Sequence, residues 1–239
     1  MVRAQSGPFS NRPYYEEWEI EEIAATELRA VDLLPATPTP IRVDRFIEKR
    51  FRIVPEYDNV LEDILGFTRF GAKGPEAVVV SRSLSEEGTG VSERRVRSTL
   101  AHETGHMLLH GELFALERRA GSSPLVDEDL DERRQVVLCR PESVDASVGP
   151  ASAQRYDGRW WEYQANQFIG ALLLPRRLAE QAVGDFLVPT GSLGIKVLDD
   201  TKREEAASCL AEVFDVNLSV ARIRVDGIFP AVPAGQLTL

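Results

Sequence analysis

Two cysteines in 239 residues are too few for a disulfide framework, which excludes the small cross-linked secreted scaffolds and suits a reducing compartment. No run approaches the roughly 20 apolar residues that cross a bilayer. The opening Met1–Ser10 segment lacks the apolar core of a secretion signal. Basic charge is also in short supply. Lys and Arg number 28 against 38 Asp and Glu, a net charge of −10. Phosphate and anionic-membrane binding need a basic surface, so direct nucleic-acid contact is disfavoured. These deficits together describe a cytoplasmic protein without a membrane partner. Hydrophobic residues make up 43%, enough to bury a full core as one domain or two small ones. Histidine is scarcest of all, with three in the chain, so their placement carries information.

All three lie in Ser98-Thr-Leu-Ala-His-Glu-Thr-Gly-His-Met-Leu-Leu-His110, which contains HExxH. Residues four apart on an α-helix differ by about 40° around the axis and about 6 Å along it. His102 and His106 can therefore close on one Zn²⁺, with Glu103 beside them as the base that takes a proton from water. HExxH also occurs by accident on solvated helices, and paired histidines can be core residues. The flanking pattern argues against both. Val96, Leu100, Met107 and Phe114 form one apolar stripe at helical spacing, and the histidine face lies next to it rather than opposite.

A catalytic zinc takes three protein ligands and keeps one position open. His110 sits eight residues beyond His102, about 12 Å along a rigid helix, which is too far to share the ion. The elongated HExxHxxGxxH solution is absent, because no later histidine exists. The third ligand is then a carboxylate or a cysteine from elsewhere. Cys139 and Cys209 are open to it, although His/His/carboxylate sets are the usual choice for peptide hydrolysis. The best carboxylate is Glu162, in Trp160-Trp-Glu-Tyr-Gln-Ala-Asn-Gln-Phe-Ile-Gly-Ala-Leu-Leu-Leu-Pro175. It shares a helical face with Asn166, Ile169 and Leu173, and Asn166 one turn on can hold an imidazole N–H of a ligand histidine. An acid in the first turn of a helix would show the same pattern for reasons of helix polarity alone. The oxyanion partner is open among His110, Tyr163 and an arginine, with His110 equally able to serve structurally.

Arg95, Thr99-Leu-Ala-His-Glu-Thr-Gly-His-Met-Leu-Leu-His110 and the later Glu162-x-x-Ala165-Asn166-x-Phe168-x-x-x-Leu172-Leu-Leu-Pro175 together resemble the ImmA/IrrE metallopeptidases. These are bacterial and phage-associated zinc proteins, some of which cleave helix-turn-helix repressors. The resemblance runs from about Val43 to Ile228. It implies a zincin-like α+β fold in which a small sheet packs on the HExxH helix, with a C-terminal helical region of helix-turn-helix type. It implies His102, His106 and Glu162 as zinc ligands and Glu103 as catalytic base. Two departures stand out. Between His106 and Glu162 there are 56 positions of separation, so about 116–158 looks like an insertion, and no N-terminal DNA-binding domain is evident.

Along the chain, residues 1–13 read as a tail, and Tyr14–Leu34 as an acidic helix with Ile20, Ile23, Ala24 and Leu28 on one face. Pro35–Pro40 reads as a stiff linker. A helix over Val43–Arg50 leads to expected strands at Phe51–Val54, Leu65–Phe70 and Ala77–Ser81, the last two separated by the turn-rich Gly71–Pro75. Ala77–Ser81 reads as a core strand, with an edge that adds peptide as the alternative. The insertion combines the charge run Asp127–Arg134, read as a solvated face with a lid or docking role as the alternative, with Val136–Cys139 and the loop-like Pro141–Ser152. Cys139 reads as an inert buried thiol, with redox sensing as the alternative. Helices are expected over Arg176–Leu187, Asp199–Phe214 and Leu218–Ile228. The last two are joined by Phe214–Asn217 in a helix-turn-helix-like pair whose near-neutral charge favours packing or protein recognition. The resulting division is 1–40, a peptidase domain over 41–187, and a helical region over 188–239.

The expected activity is zinc-dependent endoproteolysis of a regulatory protein partner, such as a helix-turn-helix repressor. Two alternatives stand beside it: a metal-bound scaffold that binds its partner without cutting it, and a transcription factor resting on the C-terminal helices alone.

Overall fold

The computed structural model describes residues 15–61, 63–120, 130–131, 136–139, 160–190 and 195–230. The expected tail and most of the insertion, including Pro141–Ser152, lie outside these residues. The fold is α+β. In chain order the principal elements are α1 (Glu17–Ala30), α2 (Val43–Phe51), β1 (Glu56–Asp58), β2 (Gly66–Gly71), β3 (Gly74–Ser81), α3 (Arg82–Glu86) and α4 (Gly90–Gly105). A π-helical turn (His106–His110) continues α4 into α5 (Gly111–Ala120). There follow β4 (Leu130–Asp131), β5 (Val136–Cys139), α6 (Trp160–Leu173), α7 (Arg176–Ala182), β6 (Leu187–Thr190), β7 (Ile195–Leu198), α8 (Arg203–Val213) and α9 (Leu218–Ile228). Among the described residues no helix is long and apolar enough to cross a membrane.

The main sheet has the order β1-β3-β2-β5-β4. β2 and β3 form a hairpin across Ala72-Lys73, with Gly74 at φ 122°, a conformation that glycine alone adopts freely. β1 lies parallel to β3 over Val79–Ser81, so β3 is flanked on both sides there and is a core strand. The strand expected at Phe51–Val54 is a correction. α2 runs through Phe51, whose ring meets Phe46 edge-on, and Arg52 at φ 62° caps the helix, so pairing begins only at Glu56. The helix expected over Arg176–Leu187 is shorter too. It ends at Ala182, and Leu187 opens the β6–β7 hairpin, which the alternation around Gly191 and Gly194 could have signalled.

α4 is the centre of the molecule. It opens on a capping box in which the Thr89 hydroxyl accepts the Ser92 N–H at 3.1 Å and Ser92 Oγ accepts the Thr89 N–H at 3.0 Å. From Ser98 to Gly105 every side of the helix is buried, not one stripe, because the sheet covers one face and α6 another. The polar residues in this stretch are satisfied locally. Ser98, Thr99 and Thr104 donate back to the carbonyls of Arg94, Arg95 and Leu100 at 3.1, 3.0 and 2.7 Å.

One apolar core runs from Ile20, Ala24 and Leu28 of α1 through Leu100 and Leu172 to Leu210 and Val225 near the C-terminus. Arg224, 6% exposed, ties these parts together. Its guanidinium pairs with Glu21 and donates to the Leu174 carbonyl at 2.9 Å. Arg222 pairs with Glu204. Both arginines of the last helix are therefore engaged with carboxylates. The turn between α8 and α9 is docked as well: Asp215, at φ 51°, pairs with Arg94 at 2.7 Å and with Arg97, both on α4.

Candidate metal centre

The site forms where α4 crosses α6. Gly105 makes the crossing close: a Cβ there would stand 3.0 Å from Ala165 Cα and 3.0 Å from Phe168 Cβ. The second variable position of HExxH is thus small because another helix backbone lies against it. The crossing brings the ligand atoms of His102, His106 and Glu162 together in one buried group that can hold a metal ion.

Three distances define the group. His102 Nε2 and His106 Nε2 are 3.0 Å apart, Glu162 Oε2 is 3.1 Å from the first, and Glu162 Oε1 is 3.4 Å from the second. Donors around a tetrahedral ion with bonds of about 2.0–2.1 Å stand about 3.3–3.4 Å apart, so the triangle is of the right size.

The hydrogen-bond network assigns the protons. His102 Nδ1 donates to Asn166 Oδ1 at 2.9 Å, which leaves its Nε2 bare. His106 Nδ1 donates to His110 Nδ1 at 3.2 Å, and His110 Nε2 donates to Gln164 Oε1 at 2.9 Å. Two bare imidazole nitrogens and a carboxylate thus converge with no hydrogen between them, and both Glu162 oxygens are buried without a hydrogen-bond partner. Converging lone pairs in a buried space call for a cation.

The same convergence shifts the ionisations. Burial works to raise the Glu162 carboxyl, but His106 and His102 beside it overcome this and hold it well below the usual carboxylate range. Burial lowers His106. In His102 burial acts in the same direction, but the contact with Glu162 outweighs it and the net shift is upward. Burial, with His106 adding to it, pushes His110 down to about 3, so the ring is neutral as its acceptor role requires.

Glu103 is wholly buried beside the triad. Thr68 of β2 donates to its Oε2 at 2.6 Å, whereas Oε1 has no hydrogen-bond partner. Burial lifts its carboxyl to about 7, with His102 and the Thr68 hydrogen bond pulling the other way.

Sequence reasoning named His102, Glu103, His106, Glu162 and Asn166, and the structure brings all five together. It keeps His110 out of the ligand group and places it behind His106, across a π-helical turn in place of a plain α-turn. Tyr163 falls on the exposed side of α6, 47% accessible. Cys209 is remote, hydrogen-bonded to the Ala182 carbonyl at 3.7 Å. Cys139 forms a second group with His102 and Glu103, their ligand atoms all within 4.8 Å of one another. Thr68 and Gln164 were missed. Neither has a spacing signal, since Thr68 reaches Glu103 only through the packing of sheet on helix. No family model and no curated protein matches this chain.

Proposed function

We propose that this chain is a zinc-dependent endopeptidase with a zincin-like core, akin to the ImmA/IrrE metallopeptidases, acting in the cytoplasm on a regulatory protein such as a helix-turn-helix repressor. The observation that carries the reading is the two-histidine, one-carboxylate triangle with a buried, singly anchored glutamate beside it. That donor set is the one zinc peptidases use, and it leaves one coordination position open. Zn²⁺, when bound, supplies Lewis acidity that polarises a peptide carbonyl and brings deprotonation of water toward neutral pH.

The rest is the work of the chain's own residues. Thr68 fixes one oxygen of Glu103 and leaves Oε1 to accept a proton from the attacking water and hand it to the leaving amine. Burial raises the Glu103 carboxyl, which favours its holding the proton between the two halves of that task. Asn166 holds the plane of His102, and the His110–Gln164 pair holds that of His106. With both His110 nitrogens engaged, the oxyanion donor is Tyr163 or an arginine. Selectivity for one folded partner comes from restricted access, since His102, Glu103 and His106 are each 0% exposed.

The test is Glu103→Gln, assayed for metal content and for cleavage of a helix-turn-helix repressor offered as substrate. The expected variant keeps its metal and cleaves about 10²–10⁴-fold more slowly. Undiminished cleavage refutes the role of Glu103. A partner bound intact by both proteins would replace the peptidase with a non-cleaving binder.

A further inference from the structure

A second group of ligand atoms lies against the first. His102, Glu103 and Cys139 bring a nitrogen, a carboxylate oxygen and a sulfur within 4.8 Å of one another, and all three residues are buried. The main sheet delivers the sulfur. β5 pairs antiparallel with β2 in the register Gly66↔Cys139 and Thr68↔Val137, and residues opposite one another in such a pair project to the same face. For Gly66 that face is α4, because a Cβ there would meet Thr99 Cγ2 at 2.8 Å. Thr68, two residues on, reaches Glu103 from the same face. Cys139 is therefore aimed at the helix that carries His102 and Glu103, and it is 0% exposed. Glu103 has an oxygen to give: its Oε1 is buried with no hydrogen-bond partner among the described residues.

The two groups differ in kind. In place of His106 and Glu162, the second has Glu103 and a thiol. Thiolate selects soft ions, whereas imidazole with carboxylate suits harder ones. Nitrogen and sulfur donors around a tetrahedral ion, with bonds of about 2.0–2.1 and 2.3 Å, stand about 3.6 Å apart, so side-chain shifts of about 1 Å close the second group on one ion. His102 is common to both groups, and its Nδ1 is engaged with Asn166 Oδ1 at 2.9 Å. Its Nε2 is then the one nitrogen that either ion can use. We propose that His102, Glu103 and Cys139 form a second metal site, for thiophilic divalent ions such as Cd²⁺, which is filled in exchange for the ion at the triad and never together with it. On binding, nitrogen, oxygen and sulfur each give a lone pair to the incoming ion, the thiol proton goes to water, and the triad's Zn²⁺ leaves as His102 is withdrawn from it. No electron is transferred. Glu103 becomes a ligand and can no longer take a proton, so the exchange inactivates the enzyme, a consequence that rests on the peptidase reading above.

The probe is Cd²⁺, whose bonds to thiolate give an ultraviolet charge-transfer absorption that nitrogen and oxygen ligands do not. The full chain, loaded with one equivalent of Zn²⁺, is titrated with Cd²⁺ for wild type, Cys139→Ser and Cys209→Ser. The thiolate band is followed together with released zinc, read with a chromogenic chelator. The expected result in wild type is a band that saturates at one Cd²⁺ per chain, with one zinc released for each Cd²⁺ bound. Cys209→Ser should behave alike, and Cys139→Ser should lose the band. Because the chain has two cysteines, the Cys209→Ser spectrum assigns the band even if Cys139→Ser fails to fold. Cadmium uptake without a thiolate band, a band that disappears in Cys209→Ser, or a band formed while zinc is retained overturns this proposal and leaves the triad standing. A band in a chain that takes up no zinc overturns the triad and leaves the second site. No uptake of either metal overturns both.

Discussion

Replacing His110 with Phe tests whether the buried relay behind His106 governs the metal centre. The ring would keep its edge-on packing against Trp160, whose centroid lies 5.5 Å away, so the change is electrostatic more than steric. What is lost is the acceptor for the His106 Nδ1–H, a 3.2 Å contact between fully buried residues, and the donor to Gln164 Oε1. A buried donor left unsatisfied costs about 1–3 kcal/mol. Loss of the partner that orients a ligand histidine typically lowers metal affinity by about 10–100-fold. At 25 °C that range is about 1.4–2.7 kcal/mol, so two independent estimates agree. Competition with a chelator of known affinity, combined with elemental analysis, should show one metal per chain bound about 10–100-fold more weakly. Gln164→Leu should move affinity in the same direction. Wild-type affinity in His110→Phe would falsify the coupling. Complete loss of metal from a natively folded His110→Phe would instead make His110 a ligand, against the geometry.

Gly105→Ala should lower both the melting temperature and metal affinity. The gain in helix propensity of about 1 kcal/mol is opposed by overpacking of about 1–3 kcal/mol where the added Cβ meets Ala165 and Phe168 at 3.0 Å. Gly90→Ala, where a Cβ meets nothing within 4 Å, is the control, and equal behaviour of the two would dismiss the close crossing. Glu103→Gln should stabilise the metal-free protein in a pH-dependent way. A folded-state value of about 7, raised from 4.5, means that the folded chain holds this proton more tightly than the unfolded chain. Stability from this group is full below the ordinary value and is lost as pH rises through about 7. At about pH 8 the variant should exceed wild type by up to about 3 kcal/mol, shrinking toward nothing near pH 5. Identical urea midpoints at both pH values would show that Glu103 is not held in a desolvated place.

Local features were legible in the sequence because their causes are local. The i, i+4 placement of His102 and His106 follows from helix pitch, and the boundaries of α9, Leu218–Ile228, follow from a periodic apolar pattern bounded by turn residues. Misplaced features had tertiary causes. Phe51 is β-prone by composition, yet packing against Phe46 keeps it in α2. His110 stands outside the group of ligand atoms, as helix length implies, but its tie to Gln164 needs α6 to pass behind it. By itself the sequence determined which side chains are of a type that ligates metal and that two of them share one helical face. Only the tertiary structure decided that Glu162 closes the triangle, that Thr68 anchors Glu103 and that Cys139 comes beside His102 and Glu103. The physical reason is that these three come from segments whose mutual positions are set by the burial of α4 between sheet and helix, and no periodicity within a segment encodes that packing.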